Sequence, residues 1–531
     1  MSKMKEKHLY LIIGLIAVFS LFFKLGGTEL RAEEPRRATV SIEMLESGNW
    51  QQPYLLDQPY INKPPLYNWI LASWFKLSGN SSEFAVRTPG IISLILIAGL
   101  IFFFFKSSIG ANLAALAALL FLSFGDLLFY ASVNAGEIDL FFSLLVFVQV
   151  YFIFQYHQKG KTAWLYLSYL VFILAFMTKG LPAVLFQATA SLAALMCFRE
   201  FTLKHIVKHL GSLLISCAII CSYFYIIERN YGWGWCYLQN LFIEAGQRSA
   251  MGFDVLSTFK NALIFPFNFF KLLLPWSLLV LPIFSPAIRK EVTKNRLNAF
   301  IIWFVLLSIP FFMLTGEIRN RYLYPLFPFI AVLAVSVFNF CKLNGKHIKS
   351  LRKIFIFIGF VAAVIPIAAF VAFRLEDASI LIYSFFTALL AMMVFLNIKL
   401  KPVIITPLIA SLFILKIFFS WVIQPVINSR DLSYRDQMHE VMKYTGGSPL
   451  NFDIPGIESP SSSIECNLEL AAEIPYQYSY YHYIESGEIL KADMKRSFTF
   501  MRYTEEMEQF HIEGHFFKDK NNIEYVIAQD Y

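Results

Sequence analysis

The sequence predicts an all-α polytopic membrane protein of about thirteen transmembrane helices, with a small external α/β domain at its C-terminal end. Three observations carry that reading. Of 531 residues, 57% are hydrophobic and only 15% charged, where a soluble domain carries about 25% charged residues. So little charge cannot cover a water-facing surface. Apolar runs approaching the ~20 residues that a bilayer requires recur along most of the chain. The basic residues collect in every second loop between those runs.

The runs lie near residues 8–26, 91–106, 111–129, 138–156, 163–178, 181–198, 207–227, 262–288, 297–315, 321–341, 353–373, 377–397 and 402–424. Lys3, Lys5 and Lys7 precede the first, but no small-residue cleavage site follows it, so it reads as a retained anchor. Alternate loops hold Lys106, Lys159/Lys161, Arg199/Lys204/Lys208, Arg289/Lys290/Lys294/Arg296, Lys342/Lys346/Lys349/Arg352/Lys353 and Lys399/Lys401. The positive-inside rule makes these loops, with the N-terminus, cytoplasmic. An odd number of spans then puts the C-terminus outside.

The division follows: a transmembrane domain over 1–424 with long external loops at 27–90 and 228–261, and an external domain over 425–531. In that last part the apolar runs stop. The alternation in Tyr476–Ile484, among Gly, Pro and Ser turns, suggests mixed α/β structure. The net charge of +8 is dispersed among short loops and does not indicate nucleic-acid binding. The six cysteines show no metal spacing, and most sit in apolar runs as expected for buried thiols. Cys236 and Cys466 fall in segments assigned outside the cytoplasm, where a disulfide between them is chemically permitted. There is no internal repeat and no nucleotide-binding glycine loop.

The first external loop is the most informative segment. It opens with Glu33-Glu34-Pro35-Arg36-Arg37-Ala38, and Thr39–Ser47 then reads as a short amphipathic helix in the membrane interface, stopping at Gly48. In Asn62-Lys63-Pro64-Pro65, each residue before a proline is pushed out of the helical region, and Pro65 can begin a helix. Lys63 is thus a cation on a stiff backbone, suited to a phosphate or, equally, to lipid headgroups. Glu137 and Asp139 stand at the external start of the fourth span. Two residues apart on one helix, at most one of them points into a central cavity, and the helix dipole alone favours a carboxylate there. Lys179-Gly180 occupies a short external turn, where capping the fifth helix is a sufficient account. Arg319, Arg321 and Tyr322 lie at the external mouth of the tenth span; two outward arginines run against the charge bias and favour an anionic partner. Acid and base on one face suit a reaction with an anionic leaving group. No zinc pattern such as HExxH occurs, so the metal-ligand set is empty; no cofactor is required, and a divalent metal is left open.

The order Glu-Glu-x-Arg-x-Ala from Glu33, Glu-Met-Leu-x-Ser-Gly-x-Trp from Glu43, and Lys-Pro-Pro-Leu-x-x-Trp from Lys63 resembles the first external loop of the bacterial aminoarabinose transferases. These act on lipid A and belong to the membrane (GT-C) glycosyltransferase group that includes protein mannosyltransferases. The likeness continues in order through Asp139, Lys179-Gly180, Gln247-Arg248, Leu274-Pro275-Trp276, and Tyr322 before Pro325 and Pro328. The resemblance implies a GT-C fold and transfer of a sugar from undecaprenyl phosphate to an acceptor by single inverting displacement. It implies that Lys63, Arg248 and Tyr322 contact the lipid phosphate and that Asp139 is the second family carboxylate; Arg36 and Arg321, as external cations, complete the candidate phosphate-binding set. The family's essential loop aspartate is Glu33 here, with Glu34 the alternative base. Where those transferases have a histidine after the matching acid of the second loop, this chain has Ala245-Gly246.

The resulting expectation is a bacterial inner-membrane glycosyltransferase with a periplasmic active site, a polyprenyl-phosphate sugar donor and lipid A as acceptor. Protein or another envelope glycan is the alternative acceptor. A secondary transporter or lipid flippase would instead place its charges near midplane in two related halves, and a non-catalytic assembly subunit would not need this set of ionisable residues. Reporter fusions at residues 160 and 450 are expected on opposite sides of the membrane, cytoplasmic and external respectively; fusions on one side would overturn the span assignment.

Overall fold

The computed structural model describes residues 3–56, 58–129, 135–247, 255–314, 319–345, 347–373, 380–399, 405–428, 433–448, 450–453, 476–489, 498–502, 516–518 and 524–529. From the N-terminus, α1 is Lys3–Phe22 and α2 is Glu34–Ser47, followed by an antiparallel pair of β1 (Tyr54–Leu55) and β2 (Gln58–Pro59). Then come α3 (Leu66–Ser78), α4 (Glu83–Ile109), α5 (Ala111–Leu122), α6 (Gly125–Phe129), α7 (Ile138–Lys159), α8 (Thr162–Lys179) and α9 (Pro182–Phe198). The chain continues with α10 (Leu203–Tyr231), α11 (Gly234–Gln247), α12 (Val255–Leu272), α13 (Ser277–Val280), α14 (Pro286–Val292), α15 (Arg296–Met313) and α16 (Phe327–Leu343). After α17 (Ile348–Phe373), α18 (Ile380–Lys399), α19 (Thr406–Phe418) and α20 (Gln424–Asn428) come α21 (Tyr434–Tyr444), β3 (Asn451–Asp453), α22 (Tyr476–Ser486), β4 (Phe498–Arg502), β5 (Phe516–Lys518) and β6 (Glu524–Gln529).

Among the described residues, nine helices are long and apolar enough to cross a membrane, so the chain is a multi-pass membrane protein of mainly helical fold. A tenth crossing is made if the bent pair Thr258–Leu272 and Ser277–Phe284 counts as one span. Three further apolar helices, Lys7–Phe22, Ala111–Leu122 and Pro182–Phe198, are shorter.

Two expected spans are not continuous. The run 111–129 breaks between α5 and α6. The run 262–288 bends by 106° around Pro275, which has no amide to offer a continuing helix. The segment 228–261, expected as an external loop, is mostly helical where it is described, in the end of α10, in α11 and in the start of α12, with a break at Gly232 and Trp233.

The chain divides into two compact units. The first comprises residues 1–25, 90–223 and 242–424. At its centre is α7, 78% of whose apolar window is buried, against 28% in α10 and in α18, which present most of their surface to lipid. Aromatic rings fill this core. Phe147 of α7 and Phe304 of α15 lie 5.2 Å and 5.1 Å from Phe329 of α16, Phe154 lies 5.2 Å from Phe300, and Phe104 stacks on Tyr151 at 3.8 Å. Such contacts give close helices a dense interior and explain the use of so many of the 56 phenylalanines. Of the free cysteines, Cys341 is buried, but Cys217 and Cys221 are exposed on the lipid-facing α10, against the expectation of buried thiols.

The second unit comprises residues 26–89, 224–241 and 425–531. Its α2 ends at Gly48, whose φ of +66° is the left-handed conformation that closes a helix. This helix, expected from sequence as an amphipathic one, is packed on most sides by protein. Ten of its residues, Glu34 to Met44, are buried, because α3, β1 and α22 pack around it. Tyr476–Ile484 is likewise helical (α22), not extended. The Tyr476, Tyr478, Tyr480 alternation breaks at Tyr481, and Tyr478, Tyr480, Tyr481 and His482 are all buried, which a one-faced strand cannot achieve. The described strands form a sheet in the order β3-β4-β6-β5, with β3 parallel to β4 and the other pairs antiparallel. Cys236 is disulfide-bonded; Cys466 lies outside the described residues.

An ionic network is buried among the apolar residues of this unit. Arg87 gives Nε to Glu34 Oε1 at 2.8 Å, Nη1 to Thr28 O and Oγ1 at 2.9 Å and 3.0 Å, and Nη2 to Glu29 O and Glu34 Oε2 at 2.9 Å and 3.1 Å. All five N–H donors of the guanidinium are thereby used. Beside it, Glu83 accepts from Tyr481 Oη and pairs with Arg435, while Tyr480 donates to Ser81 O at 2.9 Å. Burial pushes the Tyr480 and Tyr481 phenols well above their ordinary range, so both remain hydroxyl donors. Removing one partner of a buried pair costs about 3–5 kcal/mol. Arg87→Leu is therefore expected to lower the thermal midpoint sharply and to reduce the yield of monodisperse protein; an unchanged midpoint would show the pair to be dispensable.

Candidate active site

The turn between α7 and α8 determines which residues meet at their far ends. Gly160, with a φ of +67°, closes α7, and Lys161 precedes the first residue of α8. A turn this short makes the helices antiparallel neighbours, so the start of α7 meets the end of α8. Glu137 is the residue before α7 in extended conformation, Asp139 lies in its first turn, and Lys179 is the last residue of α8. Lys179 donates to Asp139 Oδ1, and its Nζ lies 4.4 Å from the centre of the Tyr322 ring. Arg321 binds Glu137 through Nη1 and holds Nε 3.5 Å from Asp139 Oδ2. Two carboxylates thus face two cations, and each oxygen of Asp139 has a cation beside it.

Arg321 and Tyr322 come from a 3₁₀ segment, Asn320–Leu326, that leads into α16. The expectation that only one of Glu137 and Asp139 can face inward does not hold. Glu137 precedes the helix and is not bound by helical spacing, so both reach Arg321. The expected cap at Lys179-Gly180 is present, since the Gly180 amide donates to Phe176 O at 2.7 Å, and Lys179 serves the ion pair as well. Arg319, just before the 3₁₀ segment, is exposed.

In the second unit, Glu33 is the residue before α2, with Arg36 and Arg37 one turn on. It pairs with Arg36, and Arg37 Nη2 is 3.9 Å from its Oε2. Arg37 donates to Tyr60 Oη at 2.6 Å, and Arg36 lies over the Tyr476 ring at 5.5 Å. Burial raises the Tyr476 phenol, with Arg36 pulling the other way. Glu33 keeps 27% of its side chain accessible, against 1% for Glu34, whose oxygens are taken by Arg87 and by the Arg31 amide. The two adjacent acids therefore have different environments.

Lys63 is buried, with Nζ donating to Asn62 O at 3.1 Å. Its own carbonyl accepts from Tyr237 Oη at 2.5 Å, and Asn240 Nδ2 donates to Ile61 O at 3.2 Å. The stiff backbone expected from the prolines is thus also tethered from α11. Pro65 precedes α3 rather than beginning it. Arg248 lies outside the described residues. Sequence reasoning passed over Arg87, Tyr60, Tyr237 and Asp126. Asp126 had a usable signal, being a carboxylate inside an apolar run.

The fold and the paired charges define a class, the multi-pass membrane proteins of mainly helical fold. The chain has the fold of ArnT from Cupriavidus metallidurans, solved both with undecaprenyl phosphate bound and in the apo state. The bound form aligns over 99% of this chain and 98% of that one with a TM-score of 0.68, at 16% identity; the apo form gives a TM-score of 0.69. Residues 62–226 match the family described as dolichyl-phosphate-mannose-protein mannosyltransferase. The undecaprenyl phosphate-alpha-4-amino-4-deoxy-L-arabinose arabinosyl transferase 1 of Proteus mirabilis is 32% identical over 41% of this chain and 40% of its own length. The corresponding transferase 2 of the same organism is 28% identical over 67% of this chain and 64% of its own length. The alignment to the first thus spans two fifths of that relative. In sequence and in fold, the chain resembles the bacterial aminoarabinose transferases.

The two ion clusters differ in what their loss should cost. Lys179 and Asp139 are both nearly inaccessible, whereas Arg36 and Glu33 are partly open to solvent. Lys179→Met is expected to destabilise by about 3–5 kcal/mol, and Arg36→Met by under about 1 kcal/mol. Thermal unfolding of both variants checks this, and equal shifts would refute the distinction.

Proposed function

We propose that this chain is a bacterial inner-membrane glycosyltransferase that moves a sugar from a polyprenyl phosphate, undecaprenyl phosphate first, to an extracytoplasmic acceptor, lipid A first. The observation that carries the reading is the ordered first-loop pattern around Glu33, Glu43 and Lys63, in a chain with the fold of ArnT from end to end. The proposed topology has thirteen spans, counting the bent pair and the three short apolar helices, with the N-terminus cytoplasmic and residues 425–531 as a periplasmic α/β domain.

In the proposed reaction the acceptor's hydroxyl oxygen attacks the anomeric carbon on the face opposite the phosphate. The bond from that carbon to the phosphate oxygen breaks, polyprenyl phosphate leaves with the electron pair, and the acceptor's proton passes to Glu33. Configuration is inverted. Lys63, Arg248 and Tyr322, with Arg36 and Arg321, stabilise the departing phosphate by charge-assisted hydrogen bonds. Glu33 is preferred as base to Glu34, both of whose oxygens are committed to Arg87. Asp139, between Lys179 and Arg321, is assigned to positioning. No cofactor is needed for this displacement. The family match over 62–226 favours a second reading in which the acceptor is a protein.

General-base assistance contributes about 10²–10⁴-fold. Glu33→Gln is therefore expected to lower turnover by that factor while donor binding persists. Lys63→Ala should weaken donor binding about tenfold to a hundredfold, the worth of one charge-assisted hydrogen bond. Release of polyprenyl phosphate by purified protein, measured beside donor affinity, checks both. Near-parental turnover in Glu33→Gln would remove it as the base, and no release by the parent would overturn the reading.

A further inference from the structure

Leu274-Pro275-Trp276 matches the family pattern but has no part in the chemistry above, and neither does Asp126. The structure connects them. Trp276 is fully buried and donates Nε1 to Ser123 O at 3.1 Å and Ser123 Oγ at 3.0 Å. The Gly125 amide donates to Leu274 O at 2.9 Å. A Cβ on Gly125 would stand 2.9 Å from that same oxygen, a separation real side chains do not adopt, so only glycine permits this approach. These bonds hold the break between α5 and α6 against the bend in the α12–α13 pair, and they place Asp126 in the first turn of α6.

From there Asp126 reaches the 3₁₀ segment at two points. Tyr324 Oη donates to Oδ2 at 2.7 Å, and Asn320 Nδ2 donates to Oδ1 at 3.2 Å. Asn320 and Tyr324 flank Arg321 and Tyr322 in the chain. The segment that carries them is weakly supported by its own hydrogen bonds. A 3₁₀ run of seven residues has poor internal hydrogen-bond geometry, and Pro325 lacks an amide. The carboxylate bridges both ends of the span that bears the two side chains.

We infer that Asp126, seated by Gly125 and Trp276, is a positioning residue that holds the Asn320–Tyr324 turn so that Arg321 and Tyr322 present their cation and hydroxyl to the donor's phosphate. This deepens the proposed function and rests on it for the identity of the ligand. The brace itself is independent of that identity. It assigns the Leu-Pro-Trp element a role without any contact to substrate.

The test uses the full-length protein in detergent with Asp126→Asn, Tyr324→Phe and the double variant. Undecaprenyl phosphate affinity is measured by titration, turnover by phosphate-lipid release, and hydrogen exchange on peptides covering Asn320–Leu326. Each single variant is expected to weaken undecaprenyl phosphate binding about tenfold and to speed exchange in that peptide. The double variant should be no worse than the worse single, because both remove one shared interaction. Turnover at saturating donor should change less than affinity, which a general loss of folded protein would not produce. Unchanged exchange and unchanged affinity in Asp126→Asn would overturn the inference, as would single effects that multiply in the double variant. If Asp126→Asn does not accumulate, Tyr324→Phe decides alone, since it deletes one oxygen. If the parent binds no undecaprenyl phosphate, the function proposed above fails, and the exchange rates still decide whether the brace exists.

Discussion

Asp139 is held between Lys179 and Arg321, almost wholly buried in a unit built mainly of apolar helices. An isolated carboxylate at such a position would pay heavily for lost hydration, so the charges persist there only as a set. That requirement explains several local features together. The two-residue turn at Gly160 and Lys161 brings the start of α7 beside the end of α8. The extended residue Glu137 reaches a second donor on Arg321, and a 3₁₀ turn rather than a regular helix delivers Arg321 and Tyr322. Each device places a charge against its opposite. The cluster contains as many acids as bases, so it can sit among apolar helices without a large net field.

The second unit solves a similar problem by another means. Arg87 is almost wholly enclosed, and its five donors end on one carboxylate, two carbonyls and a hydroxyl. A lysine could not reproduce this, because a compact ammonium lacks the planar fork that meets Glu34 with two bonds. Glu34 is fixed as a result, which leaves Glu33 as the acid with an accessible edge. The difference between the two adjacent glutamates thus comes from an arginine more than fifty residues away.

Much of the fold was legible in the sequence, because hydropathy reports lipid exposure directly and the basic loops punctuate it. The helices from α7 through α9 and from α15 through α19 follow the apolar runs closely. Errors arose where backbone chemistry interrupts an apolar run. The breaks at Ser123–Phe124 and at Pro275 leave composition unchanged and alter direction completely. The burial of α2 and the helicity of α22 were also hidden, since both depend on partners distant in sequence. For the site, Lys63, Asp139, Arg321 and Tyr322 were legible as ionisable or hydroxyl groups where such groups are costly. Their pairings were not, because a pairing is a property of two elements and a sequence pattern describes only one.

The same logic separates the chemistry of the two clusters. A group that must accept a proton during turnover needs an oxygen that can be approached, and a group that must hold geometry needs every oxygen engaged. Glu34 and Asp139 satisfy the second condition, with Arg87 on one and Lys179 and Arg321 on the other. Glu33, at the end of a helix and partly open, satisfies the first. Its extra methylene, relative to the aspartate expected from the family resemblance, matters less than its position. A residue preceding a helix has backbone freedom that a residue within the helix lacks, and Arg36 one turn on limits the arc its carboxylate can sweep. The longer arm is thus restrained by an ion pair, which offsets the entropy that glutamate would otherwise lose on reaching a fixed point.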